Sequence, residues 1–261
     1  MRSAEECELS CHALDVSVPG RLLVRGLELS IAPGNFIAVL GQNGTGKSLT
    51  LHTLAGLRPY AGGRIRLCGE DIGKTRRTTI AQHLALLPQY TEDIFPATVF
   101  DTVMIGRHPH VGRFNLESDE DRRIARAALA ELDLDELSSR DVLTLSGGER
   151  RRLAIAQILT QSPQLYLLDE PTNHLDPQHQ LQVLQMFRNK ALQGAGVLAS
   201  LHDVNLAARY ADSCLLLYGD GRWELGLTAD ILSEDRLTEL YETPIESLSW
   251  RNHQLFVATG G

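Results

Sequence analysis

Phe36-Ile37-Ala38-Val39-Leu40-Gly41-Gln42-Asn43-Gly44-Thr45-Gly46-Lys47-Ser48 runs from an unbroken apolar stretch into a glycine-bearing loop that ends in lysine and serine. The apolar stretch suits a strand buried on both faces of a parallel sheet. Beyond Ser48, Leu51, Leu54 and Ala55 recur at helical spacing until Gly56 and Pro59 stop the helix. Strand, glycine-rich loop and helix together are the setting a phosphate-binding loop needs. A triphosphate is densely anionic, so many backbone N–H groups must approach it unobstructed, and Gly41, Gly44 and Gly46 allow that. Gln42, Asn43, Thr45 and Leu49 complete the expected nucleotide-binding stretch. The helix start turns its positive dipole end to the phosphates, Lys47 reaches the β and γ groups, and the Ser48 hydroxyl is placed to ligate magnesium.

Two further motifs follow in order. Leu165-Tyr166-Leu167-Leu168 precedes Asp169-Glu170, so Asp169 falls at the carboxyl edge of a buried strand, where α/β sheets bind ligands. Asp169 is expected to hold magnesium and Glu170 to act as general base on the attacking water. Standing alone, Asp-Glu after a strand is more often a solvated strand end; the loop at 41–48 reverses that judgement. Earlier in the chain, Leu145-Ser146-Gly147-Gly148-Glu149 opens a helix carrying Leu153, a second anion-binding N-terminus. By itself it would read as ordinary helix capping.

The composition frames these motifs. The chain has 261 residues, 43% hydrophobic and 22% charged, enough for one sizeable core and a smaller subdomain. Acidic residues outnumber basic ones, 33 to 25, and a formal charge of -8 opposes non-specific binding to nucleic acid or anionic lipid. No nucleic-acid partner is expected. No apolar run approaches the roughly 20 residues needed to span a bilayer, and the polar start Met1-Arg2-Ser3-Ala4-Glu5-Glu6 lacks the apolar core of a secretory signal. The chain therefore reads as cytosolic. Its four cysteines, Cys7, Cys11, Cys68 and Cys214, have no C-x-x-C pairing, so neither a disulfide framework nor a zinc site is expected. Cys7, Cys11 and His12 fall short of a closed zinc site, and a reduced N-terminal strand is the better reading.

Along the chain, short apolar runs from Leu9 to Ile31, broken at Pro19-Gly20 and Gly26, suggest antiparallel strands joined by turns. Ile65 to Cys68 and Leu84 to Leu87 are further strands, the latter ending at Pro88-Gln89. From Val99 to Leu137 strand patterning is lost, and Ser118 with Asp121 makes a capping-box start for a helix bearing Ile124, Ala128, Leu129 and Leu132. The charges between Glu117 and Arg126 read as a solvated helix face. Strands return at 165–168 and 197–201 around a helix from Gln180 to Lys190, an alternation that favours a parallel α/β sheet. Gly219-Asp220-Gly221 signals a hairpin between Cys214 to Leu217 and Trp223. A helix from Ser233 to Tyr241 within a short charged tail closes the chain.

Leu145 to Glu149 resembles the signature sequence of ATP-binding-cassette ATPases, and the resemblance covers nearly the whole chain. It implies an α/β fold: a RecA-like P-loop nucleotide-binding core with an N-terminal antiparallel β subdomain and an inserted α-helical subdomain. On that pattern residues 1–261 form a single ATPase domain, with 1–88 and 161–261 as core, β subdomain and tail, and 89–160 as the helical, signature-bearing block. The resemblance implies that Ser146 and Gly148, with Gly147 between them, contact the γ-phosphate of ATP held by a facing second copy. Gln89 resembles the Q-loop glutamine that senses magnesium and the γ-phosphate. His202 resembles the switch histidine that hydrogen-bonds the γ-phosphate, and Asp176 the D-loop aspartate that couples two sites. ATP and Mg2+ are the implied cofactors.

The pattern is not followed everywhere. An adenine-stacking aromatic is usual near Val18, yet no Phe, Tyr or Trp precedes Phe36; apolar contact, Arg21 or His12 are the alternatives. Glu149 stands where glutamine is commoner, and Leu49 where threonine is usual. The segments Gly106-Arg107-His108-Pro109-His110, Asp169 to Asp176 and Leu201 to Asp212 resemble the ATPases of bacterial importers for ferric siderophores, haem and cobalamin. His108 and His110 read as a polar loop rather than a metal sensor. The implied assembly is a homodimer on two transmembrane permease subunits at the cytoplasmic face of the bacterial inner membrane, served indirectly by a substrate-binding protein. An exporter ATPase is the nearer alternative and a non-transport cassette protein the more remote one.

Overall fold

The computed structural model describes residues 7–90, 96–111, 116–251 and 253–259; the polar start Met1 to Glu6 lies outside them, as do parts of the 89–160 block. From the amino end, β1 (Leu9–Val18) and β2 (Arg21–Ile31) pair antiparallel about Pro19-Gly20. Gly26 does not break the strand as expected. It lies inside β2 at a bulge opposite Asp15, whose Oδ1 accepts the Gly26 N–H at 2.7 Å. Then come β3 (Phe36–Leu40), α1 (Lys47–Leu54), β4 (Arg64–Leu67), β5 (Glu70–Asp71), α2 (Arg77–His83) and β6 (Leu84–Leu87). β1, β2, β4 and β5 form a four-stranded antiparallel sheet in the order β2-β1-β4-β5.

The helical stretch holds α3 (Val99–Met104), α4 (Asp119–Glu131) and α5 (Gly147–Thr160), which pack on one another. β7 (Leu165–Asp169), α6 (Pro177–Leu192), β8 (Gly196–Ser200), α7 (Val204–Tyr210), β9 (Ser213–Leu217) and β10 (Trp223–Leu227) follow. The six-stranded sheet runs β10-β9-β3-β8-β7-β6, and only β10 pairs antiparallel. After α8 (Thr228–Ile231) and α9 (Glu234–Tyr241), the stretch read as a plain charged tail folds into a hairpin of β11 (Ile245–Trp250) and β12 (His253–Ala258). In Ile245-Glu246-Ser247-Leu248-Ser249-Trp250 the apolar residues change face partway along, and Leu255-Phe256-Val257 do not alternate at all, so the strands are not legible from the sequence pattern.

Alternation along the strands divides the core between the two faces of the parallel sheet. Phe36, Ala38 and Leu40 join Tyr166, Leu168, Val197 and Ala199 beneath α5, α6 and α7. Ile37 and Val39 join Leu165, Leu167, Leu198 and Leu215 against α1 and the antiparallel sheet. Because β3, β6, β7 and β8 run parallel, their carboxyl ends open on one edge. Leu40 leads there into the glycine loop, Leu87 to Gln89, Asp169 to Glu170 and Ser200 to His202.

Two further expectations need correction. Ser118 does cap α4 reciprocally with Asp121, as read. Asp121, however, is buried rather than solvated, and its Oδ1 takes the Nε–H of buried Arg107 at 2.8 Å. The Ser118 hydroxyl and N–H, with Arg107, hold its carboxyl down to about 2. Secondly, Cys7 and Cys68 form a disulfide, their Cα atoms 4.4 Å apart. Their sequence separation of 61 hid the pairing; β1 and β4, antiparallel with Leu9 opposite Leu67, bring them together. Cys11 and His12 do not join Cys7: the Cys11 thiol donates to the Leu27 carbonyl and His12 pairs with Glu28.

Candidate active site

The glycine loop bends as its composition demands. Gly41 has φ 153°, and a Cβ there would lie 2.8 Å from Thr45 Oγ1 and collide with the Leu217 carbonyl. Gly46, at φ 105°, caps α1 without a side chain, and a Cβ would press to 3.2 Å on Leu23. No acidic residue occupies the first turn of α1. Its open N–H groups and dipole therefore face the cleft unneutralised. Lys47 folds over the loop, donating to the carbonyls of Gly41 at 2.7 Å and Gln42 at 3.0 Å. Burial lowers its pKa, while the charges of Glu170 and Asp169 oppose the shift.

Opposite the loop stands Glu170, buried, at φ 49°. A non-glycine residue in the left-handed region stores strain of order 1–3 kcal/mol, and such strain gathers at functional sites. Its carboxylate is held by three elements. Gln89 Nε2 donates to Oε2 at 2.8 Å, His202 Nε2 meets Oε1 at 2.6 Å, and Asn173 Nδ2 donates to Oε2. Ser200 Oγ donates to Asp169 Oδ1 at 2.7 Å and accepts the Glu170 N–H at 2.9 Å, binding the strand ends together. Asp169 Oδ2, by contrast, is buried with no hydrogen-bond partner. A buried carboxylate oxygen left unpaired is costly, and a hard cation such as magnesium, which takes one or two carboxylates and phosphate oxygens, is the chemistry that satisfies it. The residues fit that ion.

Asn43, Gly44, Gly46, Lys47, Ser48 and Leu49 share one cleft with Gln89 and Glu170. Its volume is about 260 Å³, below the roughly 300–1,000 Å³ of pockets that enclose a small molecule. Ser146 and Gly147 do not line it. They are exposed, with Ser146 and Glu149 in a reciprocal capping box at the start of α5. Gly148 packs against the loop before α6, where an added Cβ would lie 3.3 Å from the His174 carbonyl. Asp176 caps α6, taking the His179 N–H at 3.0 Å, and its side chain faces outward. The signature and Asp176 thus share a surface apart from the chain's own cleft.

Of the alternatives for adenine, His12 sits opposite Arg64 on β4, at the end of β1 remote from the loop. Arg21 remains near it: Nη2 donates to the Gly219 carbonyl at 2.7 Å, and Gly219 packs on Thr45. Val18 is half-buried against the core. His110 serves structure, its Nε2 2.8 Å from the Gln161 carbonyl.

Arg151 went unnoticed in the sequence. Its buried guanidinium donates to the carbonyls of Asp169 (2.5 Å), Glu170 and Pro88 (both 2.7 Å), Gln89 (3.3 Å) and Pro171 (3.4 Å). Burial lowers its pKa to about 10, against the pull of Asp169 and Glu170, and it stays charged at neutral pH. A signal existed: within Arg150-Arg151-Arg152 only Arg151 stands four and seven residues before Ile155 and Ile158, on the inward face.

The chain is similar over most of its length to known proteins. The sequence profile of the family described as ABC transporter matches residues 24–173. The chain is 40% identical over 252 residues to the hemin import ATP-binding protein HmuV of Burkholderia ambifaria, covering 89% of this chain and 92% of that protein. It is 36% identical to the iron(3+)-hydroxamate import ATP-binding protein FhuC of Bacillus subtilis, covering 91% and 89%. Among solved structures, a metal-chelate type ABC transporter in an inward-facing conformation superposes with TM-score 0.84 at 30% identity, over 97% of this chain and 98% of that one. The phosphate loop, the carboxylate pair at the sheet edge and the signature helix therefore sit in a chain that belongs to the ABC transporter family and is one of its ATP-binding, ATP-hydrolysing subunits.

Proposed function

We propose that this chain is the motor subunit of a bacterial importer for a metal chelate of the haem, ferric-siderophore or cobalamin type. The names of its relatives support the substrate class, and Glu170 carries the mechanism. Gly41 to Ser48 bind the phosphates of ATP through backbone N–H groups and the Lys47 charge. Ser48, Gln89 and Asp169 would hold magnesium, which supplies charge neutralisation at the phosphates. Glu170, strained and desolvated, takes a proton from the attacking water, while His202 hydrogen-bonds the γ-phosphate and orients that water.

A second copy completes each site. Ser146, Gly147 and Gly148 present an uncovered helix start to the γ-phosphate in the facing cleft, with Asp176 beside them at the dimer surface. The small volume of the chain's own cleft supports this reading. Residues 89–160 act as the helical block that relays closure, and the remaining residues act as core, β subdomain and tail. Import ATP-binding subunits work with membrane permease components, and no helix among the described residues is long and apolar enough to cross a membrane itself. A groove lined by Leu86, Pro88, Ile105, His108 and Gln157 adjoins Gln89; with exposed Ile105 it suits a permease segment on the cytoplasmic face.

Glu170→Gln tests the central assignment. Hydrolysis is expected to fall by two orders of magnitude or more, while ATP-dependent dimerisation, followed by size-exclusion chromatography, survives. Ordinary turnover in the variant removes Glu170 from the general-base role. Import itself is tested by reconstituting the chain with the permease that co-purifies with it and following haem or siderophore uptake.

A further inference from the structure

We propose that Cys7, Cys68 and His83 form a second, thiol-based metal site that opens when the Cys7–Cys68 disulfide is reduced, and that it takes a thiophilic divalent cation of the zinc class. Three segments otherwise distant in sequence meet there: the residues leading into β1, the turn from β4 to β5, and the last residue of α2. The two sulfurs and one imidazole nitrogen lie within 4.8 Å of one another. A tetrahedral zinc centre with bonds of about 2.3 Å to sulfur and 2.0–2.1 Å to nitrogen needs ligand atoms about 3.5–3.8 Å apart. Small side-chain rotations supply that separation once the sulfur–sulfur bond is broken.

The surroundings prepare His83 as a ligand. Its Nδ1 lies 2.9 Å from Gln164 Oε1, which fixes the proton on Nδ1 and leaves the Nε2 lone pair free. A histidine whose other nitrogen donates to an amide or carboxylate oxygen is the usual arrangement of a metal ligand. Gln164 is in turn held, its N–H on the His83 carbonyl at 3.1 Å and its own carbonyl accepting from Gly196 at 2.9 Å. Cys68 sits at φ 48° before Gly69 at φ 83°, and its N–H donates to the Glu8 carbonyl at 2.8 Å, so the turn fixes the direction of its sulfur. Cys7 is buried, whereas Cys68 and His83 are half-exposed, which leaves an entry path.

The chemistry balances with ordinary reactants. A low-molecular-weight thiol, in two equivalents, or one dithiol protein reduces the disulfide with two electrons and two protons and is itself oxidised to a disulfide. The cation then displaces both thiol protons to solvent and binds two thiolates, one neutral imidazole and, in the fourth position, water. In a compartment that keeps thiols reduced, the dithiol is the form met by the metal. Cys11 and Cys214 take no part, each being buried and raised in pKa by that burial, to about 12 and about 11.

The test uses the full chain, free of nucleotide, reduced with a phosphine and stripped by chelator, then titrated with zinc against a chromophoric chelator. One zinc per chain is expected in the reduced protein and none in the oxidised protein. Cobalt(II) in place of zinc should give the visible bands of a tetrahedral thiolate complex. Cys7→Ser, Cys68→Ser and His83→Ala should each weaken binding at least tenfold, and Gln164→Ala, which removes no ligand, should weaken it by a similar factor. Should those variants fold poorly, zinc protection of Cys7 and Cys68 from iodoacetamide, read by mass spectrometry on the unaltered chain, gives the same answer. Equal zinc binding by oxidised and reduced chains, or absent protection of the two thiols, overturns the proposal. Neither result bears on ATP hydrolysis, so the transport reading stands or falls separately.

Discussion

Replacing Arg151 by methionine keeps most of the side-chain volume and removes the guanidinium that joins five backbone carbonyls. Hydrogen bonds to a charged group contribute about 1.5–3 kcal/mol each net of water, but five such terms do not add. The desolvation that lowers the Arg151 pKa to about 10 offsets part of the gain. The two shorter bonds, to Asp169 and to Pro88 or Glu170, set a floor near 3 kcal/mol; loss of a buried charged partner usually costs no more than about 5 kcal/mol. At about 2–4 °C per kcal/mol for a chain of this size, Arg151→Met should lower Tm by roughly 6–20 °C in calorimetry. Because the same carbonyls belong to Gln89 and Glu170, kcat should fall roughly tenfold or more even well below the new Tm, as small misplacements at reacting groups do. Arg151→Lys, with a compact ammonium reaching one or two carbonyls, should fall between. A Tm within about 3 °C of the parent, together with kcat within about twofold, would refute the claim that Arg151 holds the hydrolytic edge in place.

Mixing a Lys47→Ala chain with a Ser146→Arg chain should yield hybrid dimers with one intact and one doubly damaged site, and so should restore ATPase activity absent from either chain alone; no restoration sinks the shared-site reading. Gly106→Ala places a Cβ against the Gln157 carbonyl and should cost about 1–3 kcal/mol in urea unfolding, whereas Gly69→Ala meets open space and should cost only its backbone strain. Asp121 is depressed from 3.8 to about 2 in the fold, so its stabilising effect is complete above pH 4 and drains away between about pH 4 and pH 2. Asp121→Asn should flatten stability against pH in that window, and an unchanged slope would show that Arg107 and Ser118 do not hold the charged form.

Legibility followed the kind of constraint at each position. The loop from Gly41 to Ser48, the strand before Asp169 and the capped starts of α4 and α5 are local, with glycine, periodicity and caps written within a dozen residues. Gln89 and His202 were found only through their order relative to those motifs; a single glutamine or histidine carries no local signal. What stayed hidden depends on contacts between distant segments. Cys7 meets Cys68 because two strands align, Arg107 meets Asp121 because two helical pieces dock, and Arg151 turns inward because four strand-end carbonyls lie beneath it. The closing hairpin of β11 and β12 escaped notice because its strands are largely exposed, which erases the apolar alternation that reveals a half-buried strand.

The exposed signature at Ser146 and Gly147 lies on a body of net charge -8. Two such bodies meeting face to face repel over about a Debye length, some 8 Å at physiological ionic strength. If two copies face each other as proposed, nucleotide phosphates lodged between one chain's loop and the other's helix start would act as an electrostatic latch on two like-charged bodies that otherwise push apart. On that reading closing would load this spring and losing the γ-phosphate would release it, so the opening stroke would need no separate source of force. Salt should then slow opening after hydrolysis while easing association without nucleotide. If stopped-flow fluorescence shows dimer opening indifferent to ionic strength, the return stroke belongs to packing rather than to charge.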